Sequence, residues 1–221
     1  MLIGHYAVAF AAKKSAPQTS LATLFLAVQF ADQLWPILLL LGIEHAAITP
    51  GITVVTPLDL YDYPFSHSLV GMLLWSAGFG GLYYAIWKYK TGALVIAGCV
   101  FSHWILDFIT HQPDMPLGFG TGTKVGLGLW NSLAGTIVVE TGLFAAGIWL
   151  YIQSTEAKDR TGVYSFWGLV GFLVILYIAN LFGPPPPDVM TVAIGANAGW
   201  LLILWGYWID KHRSSFESRE S

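Results

Sequence analysis

The sequence predicts an all-α, polytopic integral membrane protein with about six transmembrane helices and a short N-terminal half-helix. Of the 221 residues, 55% are apolar and only 10% are charged, whereas an ordinary soluble domain carries roughly 25% charged residues. Apolar runs of about 20 residues, the length that crosses a bilayer core, recur along the chain. This composition excludes a disordered chain, a nucleic-acid-binding protein with a basic face and most soluble enzymes.

The elements follow in order along the chain. Residues 4–14 form an apolar stretch that is too short to span a bilayer, so we expect a half-helix or an interfacial helix there. The predicted spans are residues 20–42, 66–88, 92–111, 130–152, 163–183 and 188–209. Proline and glycine interrupt the loops between them. We expect one transmembrane helical domain over residues 1–209 and a polar cytoplasmic tail over residues 210–221.

The positions of the basic residues predict the orientation in the membrane. If the N-terminal lysine pair is cytoplasmic, nine of the ten basic residues fall on that side, and only Lys124 falls outside. The nine are Lys13, Lys14, Lys88, Lys90, Lys158, Arg160, Lys211, Arg213 and Arg219. Cytoplasmic loops of membrane proteins carry such an excess, so we expect a protein of the bacterial inner (plasma) membrane with a cytoplasmic C-terminus.

The third span carries the strongest chemical motif. His103, Asp107 and His111 are spaced at i, i+4 and i+8, so they share one helical face. A charge near the bilayer centre costs at least about 2.5 kcal/mol, and such residues need partners. Imidazole and carboxylate without thiolate suit zinc, and also manganese or iron. The alternative is that His103 and Asp107 form a hydrogen-bonded pair that joins helices.

Depth in the bilayer brings further polar residues to the same level. With a rise of about 1.5 Å per residue, Asp32, His67 and Glu140 fall in the same layer as His103 and Asp107, between the midplane and the outer surface. His5 heads the short helix that runs down to Lys13, so it is also lifted into the membrane. A single layer favours a site that opens to the outer face over a path across the membrane.

Three motifs resemble those of a known family, the bacterial membrane-bound, metal-dependent hydrolases of the LexA-regulated inner-membrane type. They are His5 after Gly4, His67 in residues 65–68, and the Ser-His-x-x-x-Asp pattern of residues 102–107, and the similarity covers about residues 1–117. Over nearly its whole length the chain is also similar to bacterial membrane proteins of unassigned activity that share stretches like residues 102–117 and 124–132. The order of potential ligands resembles that of the zinc-dependent phospholipase C and single-strand nuclease superfamily.

The resemblance implies a set of metal ligands. Asp32, His67, His103 and Asp107 would hold one metal, His5 with the shared Asp107 a second, and His111 would belong to a third. The later His-x-x-x-Asp/Glu pair of the superfamily is missing here, and Glu140 is its possible substitute.

We therefore predict a membrane-embedded hydrolase in which a metal-activated water attacks a phosphoester near the outer leaflet, with a lipid phosphoester as the candidate substrate. The expected cofactor is a divalent metal, zinc first, with manganese or iron as alternatives. Asp107 and Glu140 are the candidate catalytic groups. The candidate substrate-binding residues are Lys124, Asn131 and Asp114. The expected partners are membrane lipid and a lipid or small-molecule substrate, and no nucleic acid.

Two other classes of function remain open at this point. In a permease or ion-coupled transporter, the same histidines and aspartates would relay protons or bind a cation transiently, which predicts uptake into liposomes. In a non-catalytic membrane scaffold, the cluster would only join helices, and neutral substitutions would alter stability but no activity.

Overall fold

The computed structural model, which describes residues 1–120 and 122–216, confirms the all-α, polytopic fold. The helices are α1 (Ile3–Ser15), α2 (Leu21–Leu40), α3 (Pro64–His67), α4 (Leu69–Trp87), α5 (Lys90–Thr110), α6 (Leu133–Ser154), α7 (Arg160–Phe182), α8 (Val189–Ala196) and α9 (Gly199–His212). Six segments of the described chain are long and apolar enough to cross a membrane: α2, α4, α5, α6, α7 and the α8–α9 pair. These six segments overlap the six predicted spans.

Short polar side chains fix where most of the spans begin. The side chains of the N-cap residues accept hydrogen bonds from backbone N–H groups three residues on, which satisfies groups that a helix start leaves unpaired. These caps are Ser20 for α2, Ser68 for α4, Ser132 for α6, Asp159 for α7 and Asp188 for α8. The second span therefore begins at Leu69 and not at residue 66, because the chain before Ser68 forms the separate turn α3.

The short helix α1 lies inside the bundle although it is too short to span a membrane. Phe10 of α1 is fully buried and contacts the rings of Phe25, Tyr151 and Phe166. Its most extensive packing is against α6, where a Cβ at Gly147 would collide with the backbone of α1. Such close approach of two helix backbones is the usual role of small residues in membrane bundles. This packing places the start of α1, and with it His5, in the interior.

The last span is a broken helix. A turn at residues 197–198 separates α8 from α9, and within it the backbone N–H of Ala198 donates to the carbonyl of Gly195. Irregular backbone at membrane depth is tolerated only where it is buried in protein or lines a cavity. The break therefore marks a position where the bundle is not filled by regular helix packing.

Three small two-stranded antiparallel sheets close the ends of the bundle. They pair β1 (His45–Ile48) with β2 (Leu58–Asp62), β3 (Met115–Pro116) with β4 (Lys124–Val125), and β5 (Thr155–Ala157) with β6 (Arg213–Ser215).

The β5–β6 sheet lies partly within the predicted tail at residues 210–221. Asp210 lies within α9, and residues 213–215 form a strand. A hydrogen bond between Ser215 Oγ and the Pro17 carbonyl also ties this strand to the chain between α1 and α2. The part of the predicted tail at residues 217–221 lies outside the described residues.

Candidate metal centre

Four side chains from three helices bring their ligand-type atoms together. Asp32 lies on α2, His67 ends α3, and His103 and Asp107 lie one turn apart on α5. Asp32 Oδ1 is 3.5 Å from His67 Nε2 and 3.6 Å from His103 Nε2. Asp107 Oδ2 is 3.8 Å from His67 Nε2 and 2.9 Å from His103 Nε2. Two atoms bound 2.0–2.2 Å from a tetrahedral zinc ion are separated by about 3.3–3.6 Å. The two Asp32 distances match this spacing, and the ligand atoms of Asp32, His67 and His103 lie within 4.8 Å of one another. The Asp107 distances lie just below and just above the range, so the four-residue group has a spacing close to that of ligands of one ion.

The hydrogen bonding of His103 determines which of its two ring nitrogens carries the proton of the neutral ring. Its Nδ1 is 2.7 Å from the carbonyl oxygen of Val28, and because a carbonyl only accepts, Nδ1 carries the proton of the neutral ring. Nε2 is buried and has no hydrogen-bond partner within residues 1–120 and 122–216, although Asp107 Oδ2 is 2.9 Å away. A lone pair that faces a carboxylate at this distance is unfavourable unless a proton on the ring or a bound metal ion lies between them.

A buried carboxylate orients His67 through Ser66. Ser66 Oγ donates to Glu44 Oε2 at 2.6 Å and accepts from His67 Nδ1 at 2.7 Å. Glu44 Oε1 also accepts from the backbone N–H groups of Phe65 and Ser66, which fixes the α3 turn. His67 therefore presents an unprotonated Nε2 to the four-residue group. Outer partners of this kind fix ring orientation and raise ligand basicity in metal sites.

The two carboxylate oxygens of Asp107 face different partners. Oδ2 belongs to the four-residue group, whereas Oδ1 is 3.1 Å from His5 Nε2 and 2.6 Å from the α-amino group of Met1. The His5 ring stacks on His103, with centroids 3.8 Å apart. His5, His103 and Asp107 thus form a second buried group whose ligand atoms lie within 4.8 Å of one another. This is the placement that a carboxylate shared between two ions would have.

Asp32 is presented by an irregular turn of α2. Pro36 lies inside this helix, four residues after Asp32, and because proline has no N–H, the Asp32 carbonyl loses its helical hydrogen-bond donor. The Asp32 side chain is 40% exposed, whereas those of His103 and Asp107 are 0% and 2% exposed. Asp32 is therefore the member of the four-residue group that is most accessible from outside the protein interior.

His111, Asp114 and Tyr63 form a polar group beside the four ligand-type residues. His111 Nδ1 is 3.0 Å from Asp114 Oδ1, and the Tyr63 hydroxyl donates to the same oxygen at 2.8 Å. Burial, together with the nearby Asp114, raises the pKa of Tyr63 well above its usual value, so its hydroxyl stays a donor. His111 Nε2 lies 3.9 Å from Asp107 Oδ2. Asp114, predicted to bind substrate, thus contacts His111 and orients its ring.

Glu140 has a different environment from the one predicted for a base or ligand. Its Oε2 accepts from three backbone N–H groups at the start of α1, at 2.9, 3.0 and 3.3 Å. A carboxylate at this position satisfies unpaired N–H groups and complements the helix dipole. Glu140 belongs to neither group of converging ligand atoms, so its observed role is to cap α1 beside the site.

Lys124 and Asn131, predicted to bind substrate, do not line the cavity of the site. Lys124 lies on β4, where its Nζ donates to the backbone carbonyl of Tyr61 at 2.6 Å. Asn131 is exposed at the end of a single 3₁₀ turn, Leu129–Asn131.

A cavity of about 580 Å³ opens beside the four-residue group. Its polar wall includes Asp32, His67, Asp107 and His111, and the remaining lining is mostly apolar side chains of α2, β2, α7 and the α8–α9 pair. No lysine or arginine of the described chain lines it. The volume lies within the usual range for small-molecule sites. The ligand-type atoms are therefore reachable by a molecule that is largely apolar.

Sequence reasoning missed the residues that orient the ligands. Glu44 lies outside the predicted spans, where the sequence does not predict its burial, and the Val28 carbonyl carries no side-chain signal. The serine directly before His67 was quoted only as part of a motif, yet its hydroxyl links His67 to Glu44.

The donor set, the spacing and the unpartnered nitrogen all fit a metal ion. Comparison of the chain with protein-family models, with curated proteins and with solved structures finds no match.

Proposed function

We propose that the protein is a membrane-embedded, metal-dependent hydrolase that cleaves a phosphoester, with a lipid as the expected substrate. The observation that carries the proposal is the buried, unpartnered Nε2 of His103 facing Asp107, inside a group of atoms at metal-ligand spacing. Zinc is the first candidate for the ion because imidazole and carboxylate suit it, and manganese or iron accept the same donors.

Each group of residues in the site has a separate role in the proposed reaction. A divalent ion held by Asp32, His67, His103 and Asp107 would supply Lewis-acid activation of water and of a phosphoryl oxygen. His111 Nε2, held in place by Asp114, would take up or return a proton at the reacting group. The apolar remainder of the cavity would exclude bulk water and accept the lipid chain.

The proposed location is the bacterial inner membrane, with the site toward the outer face and the C-terminus in the cytoplasm. The basic ends of several helices meet at one end of the bundle, where the backbone N–H of Lys158 donates to the His212 carbonyl and Lys13 Nζ lies 3.5 Å from Asp210 Oδ1. The positive-inside rule puts this end in the cytoplasm, and the β1–β2 hairpin would then face outward.

Hydrolysis by purified protein tests the proposal. Zinc-loaded protein in detergent should hydrolyse a short-chain phospholipid, lose this activity in EDTA and regain it when zinc is restored. His103→Gln should lower the rate by at least about 100-fold, because loss of a ligand removes the ion's electrostatic contribution. The matched control is His45→Gln, since His45 pairs with Asp62 on the surface, 2.8 Å away.

Two results would contradict the hydrolase proposal. One is no turnover of any phosphoester by metal-loaded protein, and the other is equal rates for wild type and His103→Gln. If the metal-loaded protein instead carried zinc or protons into proteoliposomes without hydrolysis, the transporter alternative would replace it.

A further inference from the structure

We propose that the same cavity holds a second subsite, formed by Gln29, Gln33 and Trp35 of α2, which binds the hydroxyl groups of a polyol phospholipid. The inference rests on the proposed function, because it specifies the substrate class of that site. The subsite would select a phosphoester whose headgroup carries free hydroxyls, such as a glycerol headgroup.

Three unpartnered polar atoms carry the argument. Gln29 Oε1, Gln33 Oε1 and Trp35 Nε1 are buried and have no hydrogen-bond partner in the part of the chain that the structure describes. The three side chains are on residues only 4–7% exposed, and all three line the cavity. Buried polar groups are normally hydrogen-bonded, and leaving one unpaired is costly. Three residues with such atoms in the lining of one cavity support the inference that a ligand completes their bonding.

The hydrogen-bonding capacity of the three atoms indicates the chemical class of the ligand. The glutamine oxygens accept and the indole N–H of Trp35 donates. A hydroxyl group does both, so a polyol can satisfy all three atoms. An ammonium group would leave the indole unpaired, and a phosphate group would leave both glutamine oxygens unpaired. The phosphate itself would lie at the four-residue group, because Asp32 lies next to Gln33 in α2 and lines the same cavity.

The break in the last span makes room for this subsite. A Cβ at Gly199 would collide with the Gln33 amide nitrogen, so glycine at this position lets the amide lie against the start of α9. Gly195, Ala196 and Ala198 of the α8–α9 turn also line the cavity. Irregular backbone is tolerated at membrane depth where it lines a cavity, so the broken helix is compatible with a binding site here.

The apolar wall leads from the subsite to the lipid-facing surface. Phe172 and Leu176 of α7 and Leu202 of α9 line the cavity. Phe172 of α7 is 41% exposed, and Leu201 of α9, which also lines the cavity, is 65% exposed. The cavity therefore reaches the membrane between α7 and α9, and an acyl chain could lie there while its headgroup contacts α2.

Lipid binding by the metal-free protein tests the subsite. Dihexanoyl phosphatidylglycerol has two headgroup hydroxyls, and dihexanoyl phosphatidylethanol has the same charge and none. EDTA-treated wild type, titrated in detergent by calorimetry, should bind phosphatidylglycerol about tenfold more tightly, as expected for two net hydrogen bonds. The double variant Gln29→Leu/Gln33→Leu should bind both lipids equally, at the affinity of wild type for phosphatidylethanol.

Two further variants serve as a control and as a second test of the preference for phosphatidylglycerol. Gln153→Leu, which changes an exposed glutamine of α6 outside the cavity, should keep the tenfold preference. Trp35→Phe keeps an aromatic ring without the N–H and should reduce the preference even if the leucine variant does not fold. Equal affinity of wild type for the two lipids, or an unchanged preference in the double variant, would overturn the subsite. Selective binding without hydrolysis by metal-loaded protein would support the subsite and contradict the proposed function.

Discussion

In their neutral forms, His103 and His67 are each held at Nδ1, which leaves Nε2 without a proton. A backbone carbonyl does this for His103, and a serine hydroxyl backed by Glu44 does it for His67. Both nitrogens then face the carboxylates of Asp32 and Asp107. At the scale of single residues, the site is therefore defined by where the protons are placed as much as by which side chains meet.

Ser66→Ala tests this arrangement at a residue that touches no metal. The variant removes the link between His67 and Glu44, so the affinity for zinc should fall by about 10–100-fold, as measured by competition with a chromogenic chelator. Ser102→Ala is the matched control, because Ser102 Oγ donates only to the carbonyl of Cys99 in its own helix. Equal zinc affinity in Ser66→Ala and wild type would contradict the proposed orienting role.

The site was predictable from sequence only in part. His103 and Asp107 share a helix face, so spacing alone brings them together, and depth together with a family resemblance added Asp32 and His67. Glu44 lies 22 residues before Ser66. Its burial depends on the α3 turn, which is not predicted by any hydrophobic periodicity in the sequence. Glu140 meets α1 across a separation of 136 to 138 residues, a contact that only the packing of α1 against α6 creates.

At the scale of elements, α1 is the least expected part of the fold. It is a half-helix surrounded by other helices, and its first turn is satisfied by Glu140 instead of by water. A helix start buried without such a partner would leave several N–H groups unpaired. The position of His5 therefore depends on a carboxylate from α6.

Glu140→Ala should lower the stability of the protein by about 1–2 kcal/mol, the usual cost of losing a helix N-cap, as measured by denaturant unfolding in detergent. Glu140→Gln keeps one acceptor oxygen and should lose less. Thr141→Ala, one residue along on the exposed side of α6, is the control and should be close to neutral. A loss for Glu140→Ala no larger than that for Thr141→Ala would contradict the capping role.

The start of α7 gives a pH-dependent prediction. A hydrogen bond from His212 and another from the backbone N–H of Gly162 lower the pKa of Asp159 from its usual value. A depressed folded-state pKa means that the stabilisation is complete above the unfolded-state pKa, about 3.9, and is lost as the pH falls through the folded-state value. The Tm of wild type should therefore fall relative to that of Asp159→Asn below about pH 4, since asparagine also caps helices but does not titrate. A Tm difference that is independent of pH would contradict this prediction.

At the scale of the whole molecule, the two ends of the bundle differ in chemistry. Basic residues and the β5–β6 sheet lie at one end, and the β1–β2 hairpin and α3 lie at the other. Span lengths and charge asymmetry are strong sequence signals, which is why the fold class and the number of spans were predictable. The break in the last span was not, because the chain around residues 197–198 is mostly apolar and contains no proline.

The orientation can be tested with single cysteines in a Cys99→Ala background, since Cys99 is buried and is the single cysteine of the chain. Val54→Cys, at a position 62% exposed between β1 and β2, should react with a membrane-impermeant maleimide in intact cells. Arg160→Cys, at the basic end, should react only after permeabilisation. The reverse pattern would contradict the proposed orientation.

The central claim is that Asp32, His67, His103 and Asp107 bind a divalent metal ion, and metal content measured by elemental mass spectrometry tests it most directly. Wild type purified with zinc should hold at least about one ion per chain, and so should the surface control His45→Ala. His103→Ala and Asp107→Ala, folded as judged by circular dichroism, should each hold less than about a tenth of that amount. Negligible metal in wild type, or equal metal in wild type and both ligand variants, would contradict the account.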